Sequence, residues 1–236
     1  MNIDLNTYRK FDTQIREVYE SIPLNCISDR IFDEKQSLTF FTHSTNHKNP
    51  IKKYNQFQFH MELVSINEDI KFLTGLVHFF HPYINRELDT YFQTLEDKRY
   101  LLFSGLAHQT LYNYWDRIGD LLAIYFDTGL REREIYFLKV LDNFPNDYQK
   151  SQYFQELKKL SDENLKNLLD ERRIIVHYLQ LNAKFFTEFF INSDERESLM
   201  IEKENLPLYF KKHLDLSVKG FELTLKLINE LPDKND

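Results

Sequence analysis

Apolar residues along this chain recur mostly at intervals of three and four, the spacing that gathers side chains on one face of an α-helix. Tyr8, Phe11, Ile15 and Val18 predict a helix over residues 7–20. Leu63, Ile66, Ile70, Leu73, Val77 and Phe80 predict a second from about residue 60. His81-Pro82 ends it, because proline lacks the N–H that would continue the ladder. Another helix is expected from near Asn85 toward Leu95. It is followed by the stripe Leu111, Tyr114, Ile118, Leu121 and Tyr125, widened by Trp115 and Leu122. Gly129 reads as a C-terminal stop. Further helices are predicted from Arg131 to Phe144, closed by Pro145, and over roughly 147–160. Ser161 reads as an N-cap with Asp162 and Glu163 in the first turn, where the helix dipole favours acids. That helix is expected to run to about Phe190. The polar stretch INSDERESLMIEKEN reads as a linker to a last helix, in which Leu214, Val218, Phe221, Leu225 and Ile228 form a stripe for the core or a dimer interface.

Between Ile22 and Met61 the helical period is lost. SLTFFTH and NQFQFHM alternate in a β-compatible way around polar STNHKNP, which predicts a small β-hairpin or an ordered loop. The organisation expected is all-α: an antiparallel helical bundle over 61–236, with residues 1–60 as an extension packed on it, one domain overall.

Composition sharpens this picture. Five glycines and six prolines in 236 residues leave few breakers, which favours long helices, and 21 Phe with 14 Tyr supply bulky interface filling. The lone Cys26 excludes an intramolecular disulfide and a Cys-based zinc site. A net charge of −7 argues against a broad electrostatic grip on nucleic acid, so any RNA contact must use a local basic patch. The start, MNIDLNTYRKFD, has no apolar signal region and no apolar run reaches membrane-spanning length. A cytoplasmic protein with no membrane partner is expected.

One residue breaks the pattern. When the residues after Ser161 are set at 100° steps, Leu165, Leu168, Leu169, Ile175, Val176, Leu179, Ala183, Phe186 and Phe190 share one line. Arg172 lies at its centre. A guanidinium in an apolar stripe costs several kcal/mol unless paired or partly wet. Arg173 and His177, four apart, flank the stripe, and Lys184 extends that basic edge. Arginine holds phosphate in a planar fork, and histidine exchanges protons near neutral pH. Together they suit phosphodiester chemistry; the plainer alternative is an ion pair with a neighbouring helix.

The segment DERRIIVHY resembles the signature of the HEPN superfamily, an Arg followed after four to six residues by His on a late bundle helix. Four residues separate Arg172 from His177, and the YWDRIGDLL helix ahead of them adds to a resemblance covering residues 60–231. The resemblance implies an all-α bundle that forms a homodimer with two motif copies across one cleft. It further implies a metal-independent endoribonuclease in a defence or toxin–antitoxin setting, with RNA as substrate and an antitoxin or other protein as partner. The alternative it implies is a non-catalytic module binding RNA, nucleotide or a protein partner. Position by position, Arg172 would bind the scissile phosphate and His177 would transfer protons, with Arg173, Tyr178 and Lys184 beside the substrate. In many active members the residue after the Arg is Asn or another small polar group, and some carry Tyr two residues beyond the His. Here Arg173 and Tyr178 stand differently. An acid on the preceding long helix is expected to orient the Arg; Asp116 and Asp120 are candidates, and read equally as solvent-facing acids. No cofactor or metal is implied. His43 and His47 are four apart but sit in FTHSTNHKN, where helix is not expected, without carboxylate or Cys partners. His78 and His81 read as capping or surface residues.

Overall fold

The regular three-and-four spacing of apolar residues produces eight α-helices among the described residues. They are α1 (Leu5–Ser21), α2 (Ser37–Thr45), α3 (Gln56–Phe80), α4 (Leu95–Tyr125), α5 (Phe137–Asp142), α6 (Gln152–Leu160), α7 (Leu181–Ile191) and α8 (Arg196–Asn229). The structure, a computed structural model, describes residues 5–88, 93–166, 168, 181–191, 194 and 196–234, with the backbone alone at 5–8 and 181–184. The all-α bundle expected from the pattern is present, with one small antiparallel hairpin near the N-terminus. No described helix is long and apolar enough to cross a membrane.

The hairpin is built from other residues than the alternation suggested. It pairs β1 (Ile31–Phe32) with β2 (Lys35–Gln36), through Asp33 and Glu34, both at positive φ (45° and 64°). Two positive-φ residues give the backbone twist that fits a two-residue hairpin. SLTFFTH is helix α2, carrying His43 on its exposed side, and FQFHM opens α3. Phe57 and Met61, two of the alternating residues, are exposed, whereas His60, Leu63, Val64 and Asn67 turn inward at helical spacing. Asn55 starts α3 by accepting a hydrogen bond from the Gln58 N–H at 3.1 Å.

Capping decides where α4 begins. Thr94 and Asp97 form a capping box, so the long helix starts at Leu95; the described residues 85–88, where a separate helix was expected, are not helical. The Asp97 carboxylate also accepts from the Asn85 N–H at 3.1 Å and from Lys203 Nζ at 2.5 Å, which fixes the preceding loop against α8.

Helix α8 is the central stave and packs against α2, α3, α4, α6 and α7. Its stripe Leu214, Val218, Phe221, Leu225 and Ile228 lies in the core. The stretch expected as a linker is largely helical, because α8 begins at Arg196 and buries Leu199 and Leu206 on the same face. Pro207 stands inside it. A proline there removes the N–H that the Lys203 carbonyl would accept. Tyr100 of α4 fills the vacancy, donating its hydroxyl to that carbonyl at 2.6 Å.

Two contacts tie the N-terminal segment to this stave. Phe32, Phe40 and Phe41 cluster on Phe221, with ring centroids of 5.4 Å for Phe32–Phe221 and 6.4 Å for Phe41–Phe221. The fully buried Asn67 accepts from the Ile27 N–H at 2.8 Å and donates to Ser217 Oγ at 2.6 Å. Tyr114 donates to the Ser217 carbonyl at 2.8 Å, so α3, α4 and α8 share one satisfied polar network.

Candidate active site

Ser161 does not cap a new helix. Its backbone is helical (φ −60°, ψ −54°), and α6 passes directly into a π-helical turn at Ser161–Leu165. Ser161 is fully buried, and its hydroxyl has no hydrogen-bond partner among the described residues. A π-turn closes i→i+5 bonds and shifts every following side chain relative to an α-helical count; such turns concentrate at functional sites. Leu165 and Leu168 are buried as the stripe requires. Further along, the count is out by one residue: Phe186 and Phe190 are 50% and 58% exposed, and Phe185 and Phe189 turn inward instead. Phe186 and Phe190 are therefore not on the buried face expected of them; Leu169, Ile175, Val176 and Leu179 of that stripe lie outside the described residues.

Arg172, Arg173, His177 and Tyr178 lie outside the described residues. Lys184 lies on α7, the helix that follows them.

The two candidate acids are on α4 and have different settings. Asp120 is half-buried and bound to Arg117, with Nη1 to Oδ2 at 2.6 Å. Arg117 Nε in turn reaches Glu62 of α3 at 2.8 Å. Burial pushes the Asp120 carboxyl above the usual range, while its bond to Arg117 opposes that shift. Its charge is thus spent locally. Asp116 lies one turn earlier and is also half-buried, not solvent-facing, and it too is engaged. It shares its line on α4 with His108 and Tyr112, at i, i+4 and i+8. Arg117, which apolar periodicity gives no reason to notice, is what separates the two acids; the signal available was the i,i+3 pairing of Arg117 with Asp120.

Next to that line, α4 and α8 meet in an aromatic and histidine cluster. The His108 ring lies 5.2 Å from Tyr209 and 4.9 Å from Phe210, and Tyr209 lies 4.3 Å from His213. His213 is buried, its Nδ1 has no partner among the described residues, and burial lowers its pKa to about 4. His78 is half-buried against α8, and burial followed by the charge of His81 lowers it to about 4 as well. Both are neutral packing groups at pH 7, and His78 is not the surface residue its sequence position suggested. His43 and His47 are exposed, the first on α2 and the second beyond its C-terminus.

A family model, that of the HEPN_Cthe2314-like HEPN family, matches residues 8–230. No curated protein and no solved structure matches the chain.

Proposed function

The chain belongs to the HEPN_Cthe2314-like HEPN family, and on that premise we propose that it is a metal-independent endoribonuclease acting as a homodimer. The observation that carries this reading is the pair Arg172 and His177, spaced as the family signature requires, within a chain matched by the family over 8–230. In this reading two copies of the pair share one cleft. The ribose 2′-oxygen attacks phosphorus, the bond to the 5′-oxygen breaks, and a 2′,3′-cyclic phosphate forms. One His177 takes the 2′ proton and the other supplies a proton to the leaving 5′-oxygen. Arg172 stabilises charge on the non-bridging oxygens, with Arg173, Tyr178 and Lys184 beside the substrate. An acid of α4, Asp116 or Asp120, orients Arg172; Asp120 is also paired with Arg117. The exposed aromatic edge of α7, Phe186 with Phe190 and Ile191 at 50%, 58% and 72% exposure, supports assembly with a second copy. A defence or toxin–antitoxin setting, with a protein antitoxin as partner, fits an RNA-cutting activity that a cell must restrain.

A second reading is a non-catalytic module that binds RNA, nucleotide or protein. The residues that favour it are Arg173, where a small polar group is common, and Tyr178, adjacent to the His, in a chain of net charge −7. Incubation with structured RNA in EDTA separates the two. Cleavage leaving a cyclic phosphate, reduced about 10²–10⁴-fold by His177→Ala, is expected of the nuclease. Intact RNA in wild-type and variant samples alike refutes catalysis, and a gel shift without cleavage supports the second reading.

A further inference from the structure

Along the outer side of α8, from Leu208 to Glu222, runs an open groove of ≈ 550 Å³ with Arg30 on its flank. At about 1.5 Å per residue this stretch of helix is about 21 Å long. Phe32 packs on Phe221 with ring centroids 5.4 Å apart, and that contact holds Arg30, just before β1, beside α8. Four cations line the groove, Arg30, Lys211, Lys212 and Lys219, against two carboxylates, Asp215 and Glu222. The chain as a whole has the opposite balance, at −7.

Both carboxylates are already held. Asp215 accepts from Lys211 at 3.1 Å, and Glu222 accepts at 2.7 Å from Lys226, which does not line the groove and also faces Asp33 at 3.4 Å. Lys219 reaches Glu156 of α6 only at 3.6 Å, with side chains 54% and 37% exposed, a pairing worth little in water. Arg30 and Lys212 are exposed and have no carboxylate partner among the described residues. Two uncompensated charges and a loosely paired third therefore face one groove. No aromatic side chain lines it among the described residues, so it offers no platform for a stacked base. A second hollow, of ≈ 350 Å³, shares Leu216 and Lys219 with it and reaches the π-turn at Ser161–Leu165, where Glu163 is matched by Lys159 at 3.8 Å.

We propose that this groove holds the sugar–phosphate backbone of single-stranded RNA, with Arg30, Lys212 and Lys219 on its phosphates. The choice of polyanion rests on the nuclease reading, for which a chain of net charge −7 needs a local basic patch. Contacts to phosphate position a strand and carry no sequence information, so the groove supplies general, salt-sensitive affinity. Asp215 and Glu222 stay neutralised by Lys211 and Lys226, and neither opposes the strand. The adjoining hollow leads the strand toward the π-turn, from which the chain runs on to Arg172. None of the groove residues belongs to the proposed catalytic set.

The test is fluorescence anisotropy of the full chain with a labelled 2′-O-methyl RNA of about 20 nucleotides, long enough to span the groove. Blocking the 2′-oxygen prevents cleavage by the proposed route. Titrations between about 50 and 200 mM KCl should give log K against log [KCl] a slope of about −2 or steeper, from three phosphate contacts at about −0.7 each. R30Q/K212Q should take about 1.4 off the magnitude of that slope and lower affinity at least about tenfold at the low-salt end. K219Q should take off about 0.7, and keeps the test open if the double variant fails to fold by circular dichroism. R9Q/K10Q, which removes two exposed cations of α1, should change neither slope nor affinity. No saturable binding, a parental slope in a folded R30Q/K212Q or K219Q, an equal loss in R9Q/K10Q, or tighter binding of polyglutamate than of the RNA overturns the proposal. Failure of the nuclease reading shows separately, as intact RNA in the EDTA cleavage assay, and does not alter what these titrations decide.

Discussion

Gly220 packs directly against the Trp115 ring, and replacing it with alanine sets two known effects against each other. On helical propensity alone, Gly→Ala in a helix interior gains about 0.5–1 kcal/mol. Packing opposes this. A Cβ at position 220 would stand 2.4 Å from Cη2 and 2.6 Å from Cζ3 of Trp115. Trp115 is fully buried, and its ring already packs against Phe137 at 4.8 Å, so it has nowhere to swing. Relief must come from displacing α8 relative to α4 or from forcing the indole off its rotamer. Overpacking of this kind costs about 1–3 kcal/mol, so packing wins. The net expectation for G220A is a destabilisation of about 1–2 kcal/mol, read as a drop of roughly 3–6 °C in Tm at this chain length or as a lower urea midpoint at unchanged slope. Trp115→Phe removes the overlapping ring atoms, so in that background G220A should lose its penalty and recover the propensity gain. A G220A protein as stable as the parent, or an equal penalty in the W115F background, would refute the reasoning.

Tyr100→Phe leaves the Lys203 carbonyl without a donor and should cost about 1–3 kcal/mol. In a Pro207→Ala background the restored N–H takes over, and the same change should cost less than about 1 kcal/mol in urea denaturation. His213 binds a proton near pH 4 in the fold and near 6.5 when unfolded, so its contribution is intact above about pH 6.5 and is lost as pH falls toward 4. The loss amounts to as much as ~3 kcal/mol, and His213→Leu should flatten the dependence of the urea midpoint over that interval; an unchanged slope would contradict it. If the nuclease reading holds, one of Asp116→Asn and Asp120→Asn should lower kcat, and Asp120→Asn, which leaves Arg117 its Glu62 partner, should cost less than about 1 kcal/mol of stability. Parental kcat in both variants in a single-turnover RNA assay would refute an orienting acid on α4.

Helix existence was legible wherever an apolar stripe met a clear terminator. Phe80 followed by His81-Pro82 is one such case, and the stripe through Leu111 and Tyr125 is another. Boundaries were less legible, because they depend on side-chain caps and not on periodicity. The Thr94–Asp97 box that starts α4 is visible only once the loop through Asn85 is seen folded onto the same carboxylate. A small hairpin near the N-terminus was expected, but its position was not legible, because Asp33-Glu34 is not a usual positive-φ pair and the β-like alternation of Phe57, Phe59 and Met61 lies on a helix with two of the three exposed. Leu199 sits in what reads as a polar linker, so the helix that buries it was hidden by composition. The inward turn of Phe185 and Phe189, in place of Phe186 and Phe190, is a shift of one position that an ideal 100° step carried over several turns does not fix. Of the candidate site, the Arg172–His177 spacing was readable directly. The commitment of Asp120 to Arg117 needed the approach of Glu62 from another helix.

The position of α8 in the chain has a consequence for biosynthesis. Every helix that packs on it is made earlier, and Asn67 waits for a partner 150 residues further on. At translation rates of about 5–20 residues per second, the nascent chain spends many seconds with Leu63, Tyr114 and Trp115 lacking the surface they are built to cover. During that interval the earlier helices have no shared stave and present sticky apolar faces to chaperones. The Arg172–His177 segment emerges in the same interval. The bundle closes only after α8 leaves the ribosome, so the segment that carries the proposed chemistry is made before the scaffold that would hold it in place.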